Sequence, residues 1–322
     1  MLKILVTGGA GYIGSLLTAK LLEKGHSVKV LDNFLRGREA IKTLGKCSNL
    51  TVIEGDIRDR TAVSKAVRDV DMIVHLAALV GYPLCDRYPV EAEEINVRGS
   101  ALIDEARGGM IPVIFSSTGS VYGLQVRECS EDTAPNPTSL YAAEKLRGEE
   151  IFLGSGNAIA LRFATGFGLS LKMRHDLLIN SFVCEALNKK NLVIYEKSAY
   201  RSFIHISDMV RCIEFMLENF GNFRDRIFNA GDEALAMKKG ELAGMICGMA
   251  GGTVTFNDFD SDRDSRNFRM SFKKIRDAGF MTGVDLRTGV EELIRFYRGP
   301  GAKSGSNGEI DPVILLSFQE VQ

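Results

Sequence analysis

Tryptophan is missing from all 322 residues, and the six cysteines (47, 85, 129, 184, 212 and 247) include no CxxC pair. The missing indole says nothing about function. The missing CxxC spacing argues against a zinc site, and the thiols read as reduced cysteines of a cytoplasmic protein. No apolar run approaches the roughly 20 residues that a membrane span needs. Net charge is −1, so there is no basic footprint for nucleic acid or for an anionic membrane. No internal repeat is visible. The opening run MLKILVTGG stops at glycines and reads as a buried first strand, not a signal peptide. What remains is ordinary for a globular protein: 45% hydrophobic and 25% charged residues. The length allows one large α/β domain plus a smaller unit.

The first half alternates short apolar runs with helical spacing. Strands are predicted at Leu2–Val6, Ser27–Leu31, Leu50–Glu54, Met72–Leu76, Ile111–Ser116 and Ala158–Phe163. Helices are predicted over Tyr12–Lys24 and near 60–69, 90–107 and 138–153. That alternation implies a doubly wound, Rossmann-type parallel sheet covered on both faces. Beyond about residue 165 the rhythm is irregular, with helical patterns near 176–189, 207–218, 238–250, 271–278 and 287–297. The expected division is a dinucleotide-binding domain over 1–165, a smaller mixed unit over 166–298 with some chain crossing back, and a linker and tail over 299–322. The tail reads either as frayed or as a segment docked on the body or on a neighbouring subunit.

Gly8, Gly11 and Gly14 lie where the first strand turns into the first helix, in TGGAGYIG, and Gly9, Gly11 and Gly14 also satisfy GxGxxG. A dinucleotide requires glycine there for a tight turn, close backbone approach to a pyrophosphate and close helix–strand packing. Asp32 ends the second strand, at the distance expected of a carboxylate that binds ribose hydroxyls. It would repel the extra phosphate of NADP, which favours NAD, although Arg36 and Arg38 follow closely. Asp56, in EGDIRD, either reaches the adenine amine or caps a loop. Ala77 and Ala78 either admit the cofactor or simply pack. His75 before them reads as a core histidine.

Tyr141 and Lys145 stand one turn apart on a predicted helix, so both project from one face. Tyrosine ionises near pKa ~10, too high for a base at neutral pH. A neighbouring ammonium and a positive nicotinamide ring both favour the phenolate. Tyr141 then accepts a hydroxyl proton while hydride leaves the same carbon. Lys145 also suits the cofactor's ribose, and Thr118, at the end of an SST run, suits a hydrogen bond to the reacting oxygen.

TGGAGYIG, GDIRD, HLAA, NVRGS, FSSTGSVYG, YAAEK, LRFATGFG and RSFIHISD together resemble the extended short-chain dehydrogenase/reductases, over about residues 1–298. The likeness is to their nucleotide-sugar epimerases and dehydratases, and most of all to the UDP-glucose 4-epimerase branch. It implies NAD contacts from Tyr12, Ile13, Asp32, Asn33, Asp56, Ile57, Ala77 and Asn96, with Leu76, Ala78 and Ser116 in the same strand-end loops. It implies Thr118, Tyr141 and Lys145 as the catalytic trio. Arg201 matches a family arginine that meets the substrate diphosphate, and its alternative is a surface ion pair. Arg266 would be a second such clamp, and Asn180 lies near a family asparagine, one residue out of step.

Departures narrow the reaction. Family 4,6-dehydratases carry Asp-Glu after the catalytic threonine and decarboxylases keep a glutamate in that stretch, whereas here Gly119 and Ser120 follow Thr118. Without an acid, loss of water from the sugar is disfavoured. Thr165 replaces a family asparagine, and EKSAY (Glu196–Tyr200) replaces a glycine-rich turn. The resulting expectation is NAD-dependent 4-epimerisation of an NDP-hexose, by a homodimer joined through the helices near 90–107 and 138–153. The alternatives are a 4-keto-sugar reductase or sugar-nucleotide dehydrogenase, and, from another class, a dinucleotide-binding sensor without catalysis.

Overall fold

The structure, a computed structural model, describes residues 1–45, 47–257 and 267–299. Arg266 and the tail from residue 300 lie outside the described residues. The chain forms two compact units that alternate along the sequence. The first comprises Met1–Val121, Pro137–Arg162 and Val210–Phe228. The second comprises Tyr122–Asn136, Phe163–Met209 and the described residues from Asn229 on.

The first unit is built on a seven-stranded sheet, all of which it supplies apart from Phe163, Asn229 and Ala230 at the ends of the last two strands: β1 (Lys3–Thr7), β2 (Ser27–Asp32), β3 (Leu50–Glu54), β4 (Met72–His75), β5 (Val113–Thr118), β6 (Ala158–Phe163) and β7 (Arg226–Ala230). Their spatial order is β7-β6-β5-β4-β1-β2-β3. β1 pairs in parallel with both β2 and β4, and β2–β3 and β4–β5 are parallel as well. A central parallel strand is covered on both faces, which is why β1 is a continuous apolar run with Ile4, Leu5 and Val6 fully buried. This is the doubly wound architecture expected from the alternation. The strand order reverses between β1 and β4, and such a switch point opens a crevice at the carboxyl ends of the strands. β1 ends there on Thr7, and β4 on His75.

Three helices shape the crevice. α1 (Tyr12–Glu23) starts at Gly11, whose backbone is extended and which makes no side-chain cap. α2 (Gly99–Arg107) continues an α-turn at Pro89–Glu93 through a π-helical segment, Glu94–Arg98. The regular helix expected over 90–107 is therefore interrupted, and the wider π turn re-aims Asn96. α3 (Leu140–Ser155) is capped by the Ser139 hydroxyl, which accepts from the Ala142 N–H at 3.3 Å, and stops at Gly156 with φ +77°. Gly148 lets α3 lie against β5, because a Cβ there would stand 2.5 Å from the Phe115 ring. The sequence pattern did not reveal β7, a five-residue edge strand in an irregular stretch.

α3 also carries the charge that the core must accommodate. Glu149 is buried and takes Arg162 through both carboxylate oxygens, with Nε at 3.0 and 3.2 Å and Nη2 at 2.7 Å. The Ser117 hydroxyl donates to the same carboxylate.

The second unit is made of short sheets and helices. Thr165–Phe167 pairs in parallel with Phe203–His205, Asn191–Tyr195 with Thr253–Asn257, and Tyr200–Arg201 runs antiparallel to Met237–Lys238. His205 bridges Ser207 at 2.7 Å and Glu292 at 2.8 Å. Gly168 and Gly289 press directly on its ring, so this trio is enclosed framework.

Arg162→Leu leaves the Glu149 carboxylate buried without its partner, and should cost about 3–5 kcal/mol. A urea unfolding midpoint close to that of the unaltered protein would contradict the role given to this pair.

Candidate functional site

The glycine turn is built by close approach. Gly8 sits at φ +69°, and a Cβ on it would lie 2.8 Å from the Ala77 nitrogen. A Cβ on Gly14 would overlap the Gly8 carbonyl oxygen. Only glycine satisfies both positions, so the β1–α1 turn lies flush against the loop after β4. Tyr12 and Ile13 form the first turn of α1, half-buried at its uncapped start. The backbone N–H groups and the positive end of the helix dipole make such a start a phosphate seat.

Asp32 locks this turn from β2. One carboxylate oxygen accepts the Ala10 N–H at 2.9 Å and the other the Phe34 N–H at 2.8 Å. Burial pushes its pKa up, against the pull of those two donors. Asp56 sits in the loop after β3. Its carboxylate takes the Arg58 side chain at 2.9 Å through both oxygens and the Asn33 amide at 3.1 Å. Arg58 chiefly holds its pKa down, at about 2. Ile57 is buried under Gly99. These residues fit an adenine dinucleotide: a cradle that any Cβ would fill, an anion seat and an acceptor at the end of β2.

The loop Leu76–Leu79 is held by a chain of hydrogen bonds whose direction can be worked out. The Ser100 hydroxyl donates to the Asn96 carbonyl at 2.6 Å, so at Ser100 the His75 Nε2, 3.1 Å away, must be the donor. Nδ1 is then unprotonated and accepts the Thr7 hydroxyl at 2.7 Å. The Thr7 oxygen has two lone pairs left, and it accepts the Leu76 and Ala77 N–H groups, each at 3.2 Å. His75 is thus a neutral core histidine, stacked on Phe115, and burial pushes its pKa down to about 3. Asn96 holds the other end of the loop through Leu79, with its amide nitrogen 2.7 Å from Glu144. Its side chain is spent on this framework. Ala78 is half-buried in the same loop.

Thr118 ends β5, with Ser116 half-buried two residues before it. The Thr118 hydroxyl donates to the Ser120 hydroxyl at 3.0 Å and accepts the Ser120 N–H at 3.1 Å. Tyr141 and Lys145 share one face of α3, which packs on β5. Tyr141 is half-buried, whereas Lys145 is buried with its ammonium 4.5 Å from the centre of the Phe115 ring. Burial pushes the Lys145 pKa down to about 8, against the opposing pull of Cys85, Glu149 and Glu144. Cys85 is a buried thiol pushed up to about 12 by desolvation, and it is not a reactive centre.

In the second unit, Arg201 is buried on its short strand, with Nη1 donating to the Tyr200 carbonyl at 2.9 Å. Thr165 is half-buried, and its N–H donates to the Ser202 carbonyl at 2.9 Å. Asn180 departs from the expectation of a substrate contact. It is fully buried, its oxygen accepts the Gly168 N–H at 3.0 Å and its nitrogen donates to Gly168 and Arg174 carbonyls. Bracing that loop uses its hydrogen-bonding groups. Two features of the site were not visible in the sequence: the Thr7–His75–Ser100 relay, and Glu144. The signal for Glu144 was its place inside the Tyr141–Lys145 turn, on an inward-facing stretch of helix.

Comparison with known proteins bears on this geometry. The profile of the NAD dependent epimerase/dehydratase family matches residues 4–231. A UDP-glucose 4-epimerase of Corynebacterium glutamicum is 32% identical over 254 residues, covering 71% of this chain and 75% of its own. A UDP-N-acetyl-alpha-D-glucosaminuronate decarboxylase of Bacillus cytotoxicus is 30% identical, covering 72% of this chain and 75% of its own. Among solved structures, UDP-glucuronic acid 4-epimerase from Bacillus cereus, in complex with UDP-glucuronic acid and NAD, superposes with a TM-score of 0.83. It is 27% identical, and the match covers 92% of this chain and 99% of that one. No described helix is long and apolar enough to cross a membrane.

The pH dependence of stability follows from His75. Its folded pKa of about 3 lies below the ordinary 6.5, so the unfolded chain binds a proton that the folded chain refuses. The stability it contributes is complete above pH 6.5 and declines as pH falls toward 3. Asp56 acts lower, from 3.8 down to about 2. Between about pH 6 and 4.5 the unaltered protein should therefore lose up to about 1.4 kcal/mol per pH unit more than His75→Gln. Parallel denaturation curves for the two proteins in that window would refute the neutral-histidine assignment.

Proposed function

The chain belongs to the NAD-dependent epimerase/dehydratase family, and from that premise we propose that it epimerises C4 of a nucleotide-diphosphate hexose. One observation carries the choice of reaction. The group hydrogen-bonded to Thr118 is the Ser120 hydroxyl, and residues 119 and 120 are glycine and serine, not acids. Elimination of water needs a proton donor and acceptor on the sugar beyond the tyrosine. Hydroxyls at this strand end suit orientation of a sugar oxygen and supply no acid to drive elimination.

NAD, seated on the glycine turn, would supply the site with a hydride acceptor and donor for the sugar carbon. Tyr141 takes the proton of the C4 hydroxyl and later gives it back. Lys145 stabilises the charge that the phenol oxygen acquires, and its lowered pKa of about 8 keeps its own proton exchangeable near neutrality. Thr118 and Ser120 orient the reacting oxygen. Asp32 holds the ribose end of the cofactor, which suits NAD better than NADP. In the second unit, Arg201 supplies a permanent charge for the diphosphate. Gly8, Gly11 and Gly14 keep the pyrophosphate close to the α1 start. A net reductase or dehydrogenase is the second reading, and no residue of the site favours it over epimerisation.

The protein is also proposed to pair two-fold through the outer faces of the 89–107 segment and α3. In support, Val90 is 66% and Tyr88 42% exposed at the start of that segment. Light scattering at micromolar protein should give twice the monomer mass, and the monomer mass would dismiss the pairing.

Purified protein given UDP-, GDP- or dTDP-hexoses without added cofactor should convert at least one donor into its C4 epimer. The absorbance of the reduced nicotinamide band should show no net change. Tyr141→Phe should lower kcat by about 10²–10⁴. No epimer from any donor would reject the epimerase reading, and stoichiometric nicotinamide conversion would replace it with the reductase.

A further inference from the structure

We propose that Glu144 is a positioning residue that fastens the Leu76–Leu79 loop, through Asn96, to the helix carrying Tyr141 and Lys145. The inference rests on the epimerase reading, in which that loop faces the cofactor and that helix moves the proton.

The hydrogen bonds leave little choice of orientation. The Leu79 N–H needs an acceptor, so the Asn96 side-chain oxygen Oδ1 must face it, at 2.8 Å. The Asn96 NH₂ then faces two acceptors, the Leu79 carbonyl at 2.9 Å and the Glu144 Oε2 at 2.7 Å. Its two protons go to these two oxygens, with the Cys85 sulfur farther off at 3.8 Å. The Cys85 thiol closes the other side, 3.4 Å from the Leu79 carbonyl and beside the Glu144 carboxyl. Glu144 is 1% exposed, and its second oxygen, Oε1, has no hydrogen-bond partner among the described residues. Burial raises its pKa, as expected of a carboxyl held away from water. A half-satisfied buried carboxyl is a poor way to fill space. Its length does serve one purpose, to reach from α3 to the π turn where Asn96 sits.

The same loop is held at its start by Thr7, which is tied through His75 and Ser100 to the Asn96 carbonyl. Asn96 thus secures the loop twice, by its main chain at one end and its side chain at the other. Glu144 is the link that ties this arrangement to the catalytic helix. It lies next to Lys145 and one turn from Tyr141, so a shift of the loop relative to the proton-moving pair has to strain the Asn96–Glu144 bond. Misplacement by about an ångström costs a reaction of this kind up to about 10²-fold. The residue therefore acts through geometry and touches neither substrate nor cofactor.

The test uses the full-length protein with Glu144→Ala, Glu144→Gln, Asn96→Ala and the Glu144→Ala/Asn96→Ala pair. Gln keeps an oxygen for the Asn96 amide, whereas Ala does not. The first readout is amide hydrogen exchange at Leu79 without substrate or added cofactor. Exchange should accelerate by about tenfold or more in Glu144→Ala and in Asn96→Ala, no further in the double variant, and remain unaltered in Glu144→Gln. The second readout is turnover of the sugar nucleotide that the unaltered protein accepts. In Glu144→Ala, kcat should fall by about 10- to 100-fold with KM within about twofold, and Gln should restore it. Unchanged exchange at Leu79 in Glu144→Ala overturns the assignment, and so does a kcat within about twofold of the unaltered value. If the Ala variant does not accumulate, Glu144→Gln behaving like Asn96→Ala overturns it, and Gln behaving like the unaltered protein supports it. If no sugar nucleotide reacts with the unaltered protein, the epimerase reading fails, and the exchange measurement still judges Glu144.

Discussion

Three ionisable side chains, Glu144, Lys145 and Glu149, are buried within six residues of one helix, and the site depends on how each is accommodated. Burying a charge is costly unless it is paired or neutralised. The three solutions differ. Glu149 takes a forked guanidinium and a serine hydroxyl, the strongest pairing available to a carboxylate. Lys145 lies over an aromatic ring with carboxylates nearby, and still its pKa falls to about 8. Glu144 receives one amide, with the Cys85 thiol beside it, and its Oε1 has no hydrogen-bond partner among the described residues. The gradient along the helix, from fully paired at Glu149 to poorly paired at Glu144 and Lys145, runs toward Tyr141. The well-paired end anchors α3 to β5 and β6. The poorly paired end carries Tyr141, the group proposed to move the proton.

The opposite wall of the site uses neutral groups. His75 could not serve there if it were charged, because Nδ1 must accept from Thr7 while Nε2 donates to Ser100. The fully buried imidazole has one tautomer compatible with its neighbours, so the loop behind the glycine turn is held rigidly across the physiological pH range. The close contact of Gly8 with Ala77 gives the same loop a steric stop.

Much of this was legible in the sequence. Strand–helix alternation announced the sheet, because buried parallel strands must be continuous apolar runs. The glycine turn and Asp32 were legible because turn geometry and charge leave few residue choices. Tyr141 and Lys145 were legible by helical spacing. Three things were not. The π turn at Glu94–Arg98 breaks a helix whose periodicity looks regular, since a single extra residue shifts phase without altering composition. The framework role of Asn180 depends on which backbone groups a loop leaves unpaired, and no local pattern records that. Glu144 carries no compositional sign of burial, since glutamate on a helix usually faces solvent. Its burial is set by Asn96, 48 positions away.

The preference for NAD can be argued one step further from the surroundings of Asp32. A 2′-phosphate at this ribose would need a cation and the removal of a carboxylate. Both Asp32 oxygens are engaged by backbone N–H groups of the turns on either side, so the carboxylate cannot swing away without loosening the glycine turn itself. Two nearby cations are committed elsewhere. Arg38 pairs with Glu54 and lies over the Phe34 ring, and Arg58 chelates Asp56 while reaching Glu94. Recruiting either for NADP would therefore require breaking an ion pair and seating a dianion beside a fixed carboxylate. Charge reversal at residue 32 alone would not supply a phosphate site, because it would also remove the two hydrogen bonds that shape the turn.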